Sequence, residues 1–179
     1  RNLTLIALFA ALIAALGLIP QLTLAFGVPI TAQSLGIMLC GTVLGAKRGA
    51  LAVLLFVLLV AVGLPLLAGG RGGLGVFVSP TAGFVIGFPF AAFITGLIVE
   101  NWRNGPLAMV AGVASVIGGI VVLYAFGISG LAWALQKPVA EAALLVTAFI
   151  PGDLVKAVLA GLITAALARA RPASVLSRA

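Results

Sequence analysis

Histidine is absent from this chain, cysteine occurs once, and only three residues are acidic. Cys40 alone forms no internal disulfide, and without histidine a His/Cys metal site is excluded. Charged residues make up 7% of the chain, against about 25% in a soluble domain. With 64% hydrophobic residues and a mean hydropathy of +1.37, a water-soluble domain is excluded as well. Dyad alternation in segments of about ten residues is missing, which excludes a transmembrane barrel. What is there is a set of continuous apolar runs, so the spans are helices. A length of 179 residues gives one membrane domain, residues 1–179, without room for a second folded unit.

The ten basic residues give a formal net charge of +7, which alone would suggest nucleic acid. They sit instead at the ends of apolar runs, as topology signals do, so no nucleic acid is expected. Six runs serve as spans: Leu3–Ile19, Gln33–Leu44, Ala50–Leu64, Thr81–Val99, Pro106–Phe126 and Asp153–Ala170. The first is too long for a signal-peptide core and is read as a true span. Its Ala7, Ala11 and Ala15 form a flat stripe that lets another helix approach, within the bundle or outside it.

The second run, at twelve residues, rises only about 18 Å against a hydrocarbon core near 30 Å. The preceding Val28-Pro29-Ile30-Thr31 therefore lies at membrane depth, where irregular backbone must be buried in protein or line a cavity. Thr31 and Gln33 become cavity residues, or else partners for broken backbone groups. Gly45–Gly49 reads as a tight basic turn. Five glycines surround Arg71 within the seven residues Gly69–Gly75. Glycine permits close backbone approach to a ligand, and a lone guanidinium suits a carboxylate. Ser79 is predicted to cap the fourth run, Pro89 to kink it, and Gly118-Gly119 to mark close packing in the fifth. Ala142–Ile150 reaches about 14 Å as a helix and cannot span, so it reads as a short helix or lid.

Loop charge sets the orientation. Arg1, Lys47, Arg48, Arg103, Arg169, Arg171 and Arg178 fall on one side; Arg71 and Lys137 fall on the other. The positive-inside rule then makes both termini cytoplasmic and loops 1, 3 and 5 long and external. Asp153 and Lys156, three apart, share a helix face inside the sixth span. Charges at such depth cost roughly 2.5–3.5 kcal/mol each on insertion scales. The pair is either a self-neutralising structural bridge or part of a polar site. With Gln33 and Arg71 it would line one external cavity, its apolar walls drawn from Phe77, Phe84, Leu35 and Trp133. The complement of such a cavity is a small acid with a urea- or amide-like head and an apolar body.

Several stretches carry a resemblance: Val28-Pro29-Ile30-Thr31-Ala32-Gln33-Ser34-Leu35-Gly36, Lys47-Arg48-Gly49-Ala50, Gly63-Leu64-Pro65, Ala68-Gly69-Gly70-Arg71-Gly72-Gly73, Ser79-Pro80-Thr81-Ala82-Gly83, Gly87-Phe88-Pro89 and Pro151-Gly152-Asp153-Leu154-Val155-Lys156. In this order they cover nearly the whole chain. The sequence resembles the BioY family, biotin-specific S components of energy-coupling factor (ECF) vitamin transporters. That resemblance implies an all-α, six-helix, multi-pass protein of the bacterial inner membrane that is not an enzyme. It implies biotin as ligand, no cofactor, and release driven by a membrane coupling subunit with ATPase subunits. Asp153, Lys156 and Gln33 would hold the ureido ring and Arg71 the carboxylate, with Thr31, Gly70, Phe77 and Phe84 completing the site. Ala7, Ala11 and Ala15 resemble the motif that meets the coupling subunit. Some members of that family have a tyrosine contact at the matching stretch of the fourth run, where this sequence has Phe84. The alternatives are a stand-alone small-molecule facilitator or an S component for another vitamin. A membrane enzyme using Asp153 and Lys156 lacks the second carboxylate or histidine such chemistry wants.

Overall fold

The computed structural model describes residues 2–179; Arg1, one of the topology charges, lies outside the described residues. The helices are α1 (Asn2–Leu16), α2 (Gln33–Leu44), α3 (Ala46–Ala61), α4 (Ala82–Asn101), α5 (Leu107–Val116), α6 (Leu123–Leu135), α7 (Val139–Val146) and α8 (Ile150–Ala170). A π-helical segment, Ile117–Val122, joins α5 to α6, so that Leu107–Leu135 is one rod. A 3₁₀ turn, Thr147–Phe149, joins α7 to α8. Three rods are long and apolar enough to cross a membrane: Ala82–Asn101, Leu107–Leu135 and Val139–Ala170. Helices α1, α2 and α3 are shorter. Before α2 the chain forms a small antiparallel hairpin, pairing Leu22 with Ile30 and Thr23 with Pro29.

Small residues let the rods close on one another. A β-carbon on Gly118 would strike Ala91 O and Thr95 N of α4, and one on Gly119 would strike the Met38 side chain of α2. The expectation of close packing at Gly118-Gly119 is met, and both glycines fall in the π segment. Helix α8 lies along α5, where Gly161 admits the Gly112 backbone. It is pinned to α2 by a buried hydrogen bond from Thr164 Oγ1 to Thr42 Oγ1 at 2.8 Å.

Three local expectations are corrected. Helix α3 begins at Ala46, so Lys47 and Arg48 belong to its first turn, not to a loop. Gly45 makes the whole reversal with φ of 86°, a conformation open to glycine. Glu100 Oε1 accepts from Ala46 N–H at 2.9 Å, supplying a partner the helix start lacks. The fifth rod runs past Phe126 to Leu135, because Gly130 lies directly against Gly83 of α4. Ser79 does not cap α4: Thr81 occupies that position. The Ser79 hydroxyl instead accepts from Thr81 N–H at 3.3 Å and donates to Val76 O at 2.7 Å. Pro89 sits within α4 without ending it.

The C-terminal turn docks at the end of the bundle where α2 and α4 finish. Arg178 Nη2 donates to Trp102 O at 3.0 Å, and Arg103 Nη1 donates to Arg178 O at 3.2 Å. Lys47, Arg48 and Glu100 share that end. Asp153, Lys156 and Gln33, near the starts of α8 and α2, lie at the other.

Candidate ligand-binding site

At that other end lies a cavity of about 530 Å³, counted out to its open mouth. Its polar groups come from distant parts of the chain, and its walls are largely apolar.

Asp153 sits in the first turn of α8, where the helix dipole favours a carboxylate. It is buried, at 6% exposure, and every bond it makes reaches a side chain. Oδ1 accepts from Ser34 Oγ of α2 at 3.1 Å and pairs with Lys156 Nζ at 2.9 Å. Oδ2 accepts from the Tyr124 hydroxyl of α6 at 2.6 Å. Lys156 Nζ also donates to Ser34 Oγ at 2.9 Å. A carboxylate offers about four acceptor positions and an ammonium three donors. Three of the former and two of the latter are filled. One acceptor position, on Asp153 Oδ2, and one donor on Lys156 remain, both on residues that line the cavity.

Arg71 reaches the same cavity from the glycine-rich loop. Gly69 and Gly70, with φ of 80° and 71°, turn the chain so that Leu67 and Arg71 exchange backbone hydrogen bonds. The guanidinium donates through Nη1 to Thr81 Oγ1 at 2.8 Å and through Nε to Ala68 O at 3.2 Å. Among the described residues it has no acidic partner. Burial lowers its pKa from the ordinary arginine value, a sign of a cation partly stripped of water. The remaining N–H groups form a fork suited to a carboxylate.

Gln33 lines the cavity, but both of its amide protons are taken by the protein. Nε2 donates to Ile13 O at 3.0 Å and to Leu66 O at 2.9 Å, and Oε1 accepts from Ala68 N–H at 3.0 Å. Since Ala68 N–H can only donate, the carbonyl oxygen must face it. No amide proton is left for a ligand, so a donor role for Gln33 is corrected to pinning α1 and the glycine loop onto α2. Thr31 lines the cavity and accepts from Gln33 N–H at 3.2 Å, steadying the start of α2. Phe84 lines it too, in edge-to-face contact with Phe149 at 5.8 Å and Tyr124 at 6.4 Å.

Gly70 and Phe77 do not line it. Gly70 serves the loop turn, whereas Phe77 borders a separate apolar groove between α4 and α6, together with Trp133. Leu35 is also outside the lining. Residues the sequence reading missed are Ser34, Tyr124, Thr81, Phe88 and Phe149. Tyr124 carried a signal, as the single tyrosine of the chain set in an apolar run. A buried tyrosine hydroxyl nearly always has a partner.

The BioY family model matches residues 1–173. The chain belongs to the BioY family. Among BioY proteins, the "Biotin transporter BioY" of Rhodobacter capsulatus is 56% identical over 188 residues, covering 99% of this chain and 98% of that protein. The "Biotin transporter BioY" of Rhizobium etli is 57% identical over 169 residues, covering 91% and 90%. The crystal structure of the S-component for biotin from an ECF-type ABC transporter matches with a TM-score of 0.89 at 31% identity, covering 94% of this chain and 90% of that one. The BioY fold thus accounts for the three long and three shorter apolar helices.

Proposed function

We propose that this chain is the biotin-binding S component of an ATP-driven ECF-type importer in a bacterial inner membrane. One observation carries the reading. Asp153 and Lys156 keep one acceptor and one donor free, in a cavity that also holds a guanidinium without an acid partner. An N–H and C=O pair on a ureido ring matches the first set, and a carboxylate matches the second. The apolar stretch between suits the aromatic wall of Phe84, Phe88 and Phe149. The names of the relatives point to the same ligand.

In this reading the cavity faces outside, and the glycine loop and hairpin form its roof. The end bearing Lys47, Arg48, Arg103 and Arg178 faces the cytoplasm, in keeping with the positive-inside rule. Ala7, Ala11 and Ala15 are all exposed along α1, while Ala10 is buried. A flat, unpartnered stripe in the membrane supports contact with a coupling subunit. ATP would be hydrolysed by the ATPase subunits of the complex.

The test is chemical identification of the ligand. Protein purified without added vitamin is denatured and its small molecules read by mass spectrometry, with calorimetry using biotin in parallel. Recovered biotin and saturable binding support the reading. An absence of heat on titration into ligand-free protein, with another vitamin recovered, would end it.

A further inference from the structure

A second cavity, of about 830 Å³ counted out into open solvent, lies at the opposite end of the bundle. Lys47, Arg48 and Glu100 line it, with Phe93 and Leu97 as its apolar wall. Lys47 is exposed and Arg48 half-buried, and neither makes an ion pair or side-chain hydrogen bond among the described residues. Glu100 offsets only one of the two cations, and its Oε1 is held by Ala46 N–H, so the lining keeps a net charge of +1. The opening is therefore a basic mouth with one carboxylate already engaged.

The two helices that meet there continue the site into the membrane. On α3, Lys47 shares a face with Leu51, Leu54 and Leu58, at spacings of four, three and four residues. All three leucines are exposed. On α4, Leu97 and Phe93 share a face with the exposed Phe90, again at helical spacing. Two adjacent helices thus present an apolar furrow to the surroundings, with two cations at its end. Among the described residues its leucines and Phe90 remain exposed. A glycerophospholipid with a net negative charge has this layout: a phosphodiester head and apolar tails attached to it. Basic pockets between transmembrane helices bind anionic head groups, and lysine stems lie along apolar surface while the ammonium reaches the interface.

We infer that the Lys47–Arg48 mouth with the α3–α4 furrow is a specific site for one anionic phospholipid. The inference stands apart from the ligand cavity and from the choice of ligand there. It gives the bundle a fixed depth at the end away from that cavity.

The test uses protein washed free of lipid in a non-ionic detergent, then titrated with phosphatidylglycerol or phosphatidylcholine. Bound lipid is counted by native mass spectrometry. The wild type should retain one phosphatidylglycerol in preference to phosphatidylcholine. Lys47→Gln/Arg48→Gln should weaken that retention about tenfold or more. Lys47→Arg/Arg48→Lys should keep it, and Lys137→Gln, at the other end, should leave it unchanged. If the double glutamine variant does not fold, Lys47→Gln alone still tests the site, since that side chain is exposed. Equal retention of the two lipids overturns the inference. So does a preference that survives both glutamines, or a loss that Lys137→Gln reproduces. Lipid retention unchanged in the glutamine variant, with loss of a co-purifying acidic subunit, would assign the surface to a protein instead.

Discussion

The Tyr124 hydroxyl donates to Asp153 Oδ2 at 2.6 Å, so α6 holds the far side of a carboxylate that α2 and Lys156 hold on the near side. Tyr124→Phe removes that donor and leaves a buried, charged acceptor short of a partner. Such a loss costs about 1–3 kcal/mol. Biotin affinity is expected to fall about tenfold, with the melting temperature lowered and the helical circular dichroism kept. Affinity equal to wild type by calorimetry would show that the hydroxyl only props the helix.

Asp153→Asn keeps the shape but breaks the charge-assisted bonds to Lys156 and Ser34. Hydrogen bonds to charged groups contribute about 1.5–3 kcal/mol, so binding should weaken between about ten- and a hundredfold. The variant also leaves Lys156 unpaired. Asp153→Asn/Lys156→Gln should therefore recover stability without recovering binding. A double variant that binds normally would make the pair purely structural.

Arg71→Ala should weaken biotin about tenfold or more, and a biotin amide without the carboxylate much less. Calorimetry with both ligands checks the difference. Identical losses would assign Arg71 to the loop, through Thr81 and Ala68, and not to the ligand.

Gln33→Leu strands Ile13 O, Leu66 O and Ala68 N–H, groups that its amide now satisfies. The expected loss of stability is on the order of 3 kcal/mol. Proteolysis within Gly69–Gly73 should speed up even when ligand is absent. An unchanged melting temperature and cleavage rate would refute this pinning role.

Ala11→Leu should spare biotin binding and abolish uptake in cells that express the complete importer. Normal uptake would mean that the α1 stripe meets only lipid.

The spans were legible because hydropathy and loop charge act residue by residue. Asp153 and Lys156 were legible because a helical spacing of three fixes their shared face regardless of the rest of the fold. The partners of that pair were not, because Ser34 and Tyr124 reach it from helices whose crossing depends on glycine contacts such as Gly118 against Thr95. Gln33 lines the cavity, but its bonds depend on where the glycine loop returns, which the local sequence does not state. The start of α3 was misread because a single residue, Gly45, completes a reversal that ordinarily takes several. The long rod through Phe126 was cut short for a related reason. Gly130, beyond that end, lies against Gly83 of α4 in a helix crossing.

Helices α7 and α8 follow one another with only the Thr147–Phe149 turn between them. Phe149, in the aromatic wall, is therefore four residues before Asp153, in the charged floor. The aromatic wall and the charged floor of the cavity are thus carried by one continuous stretch of backbone.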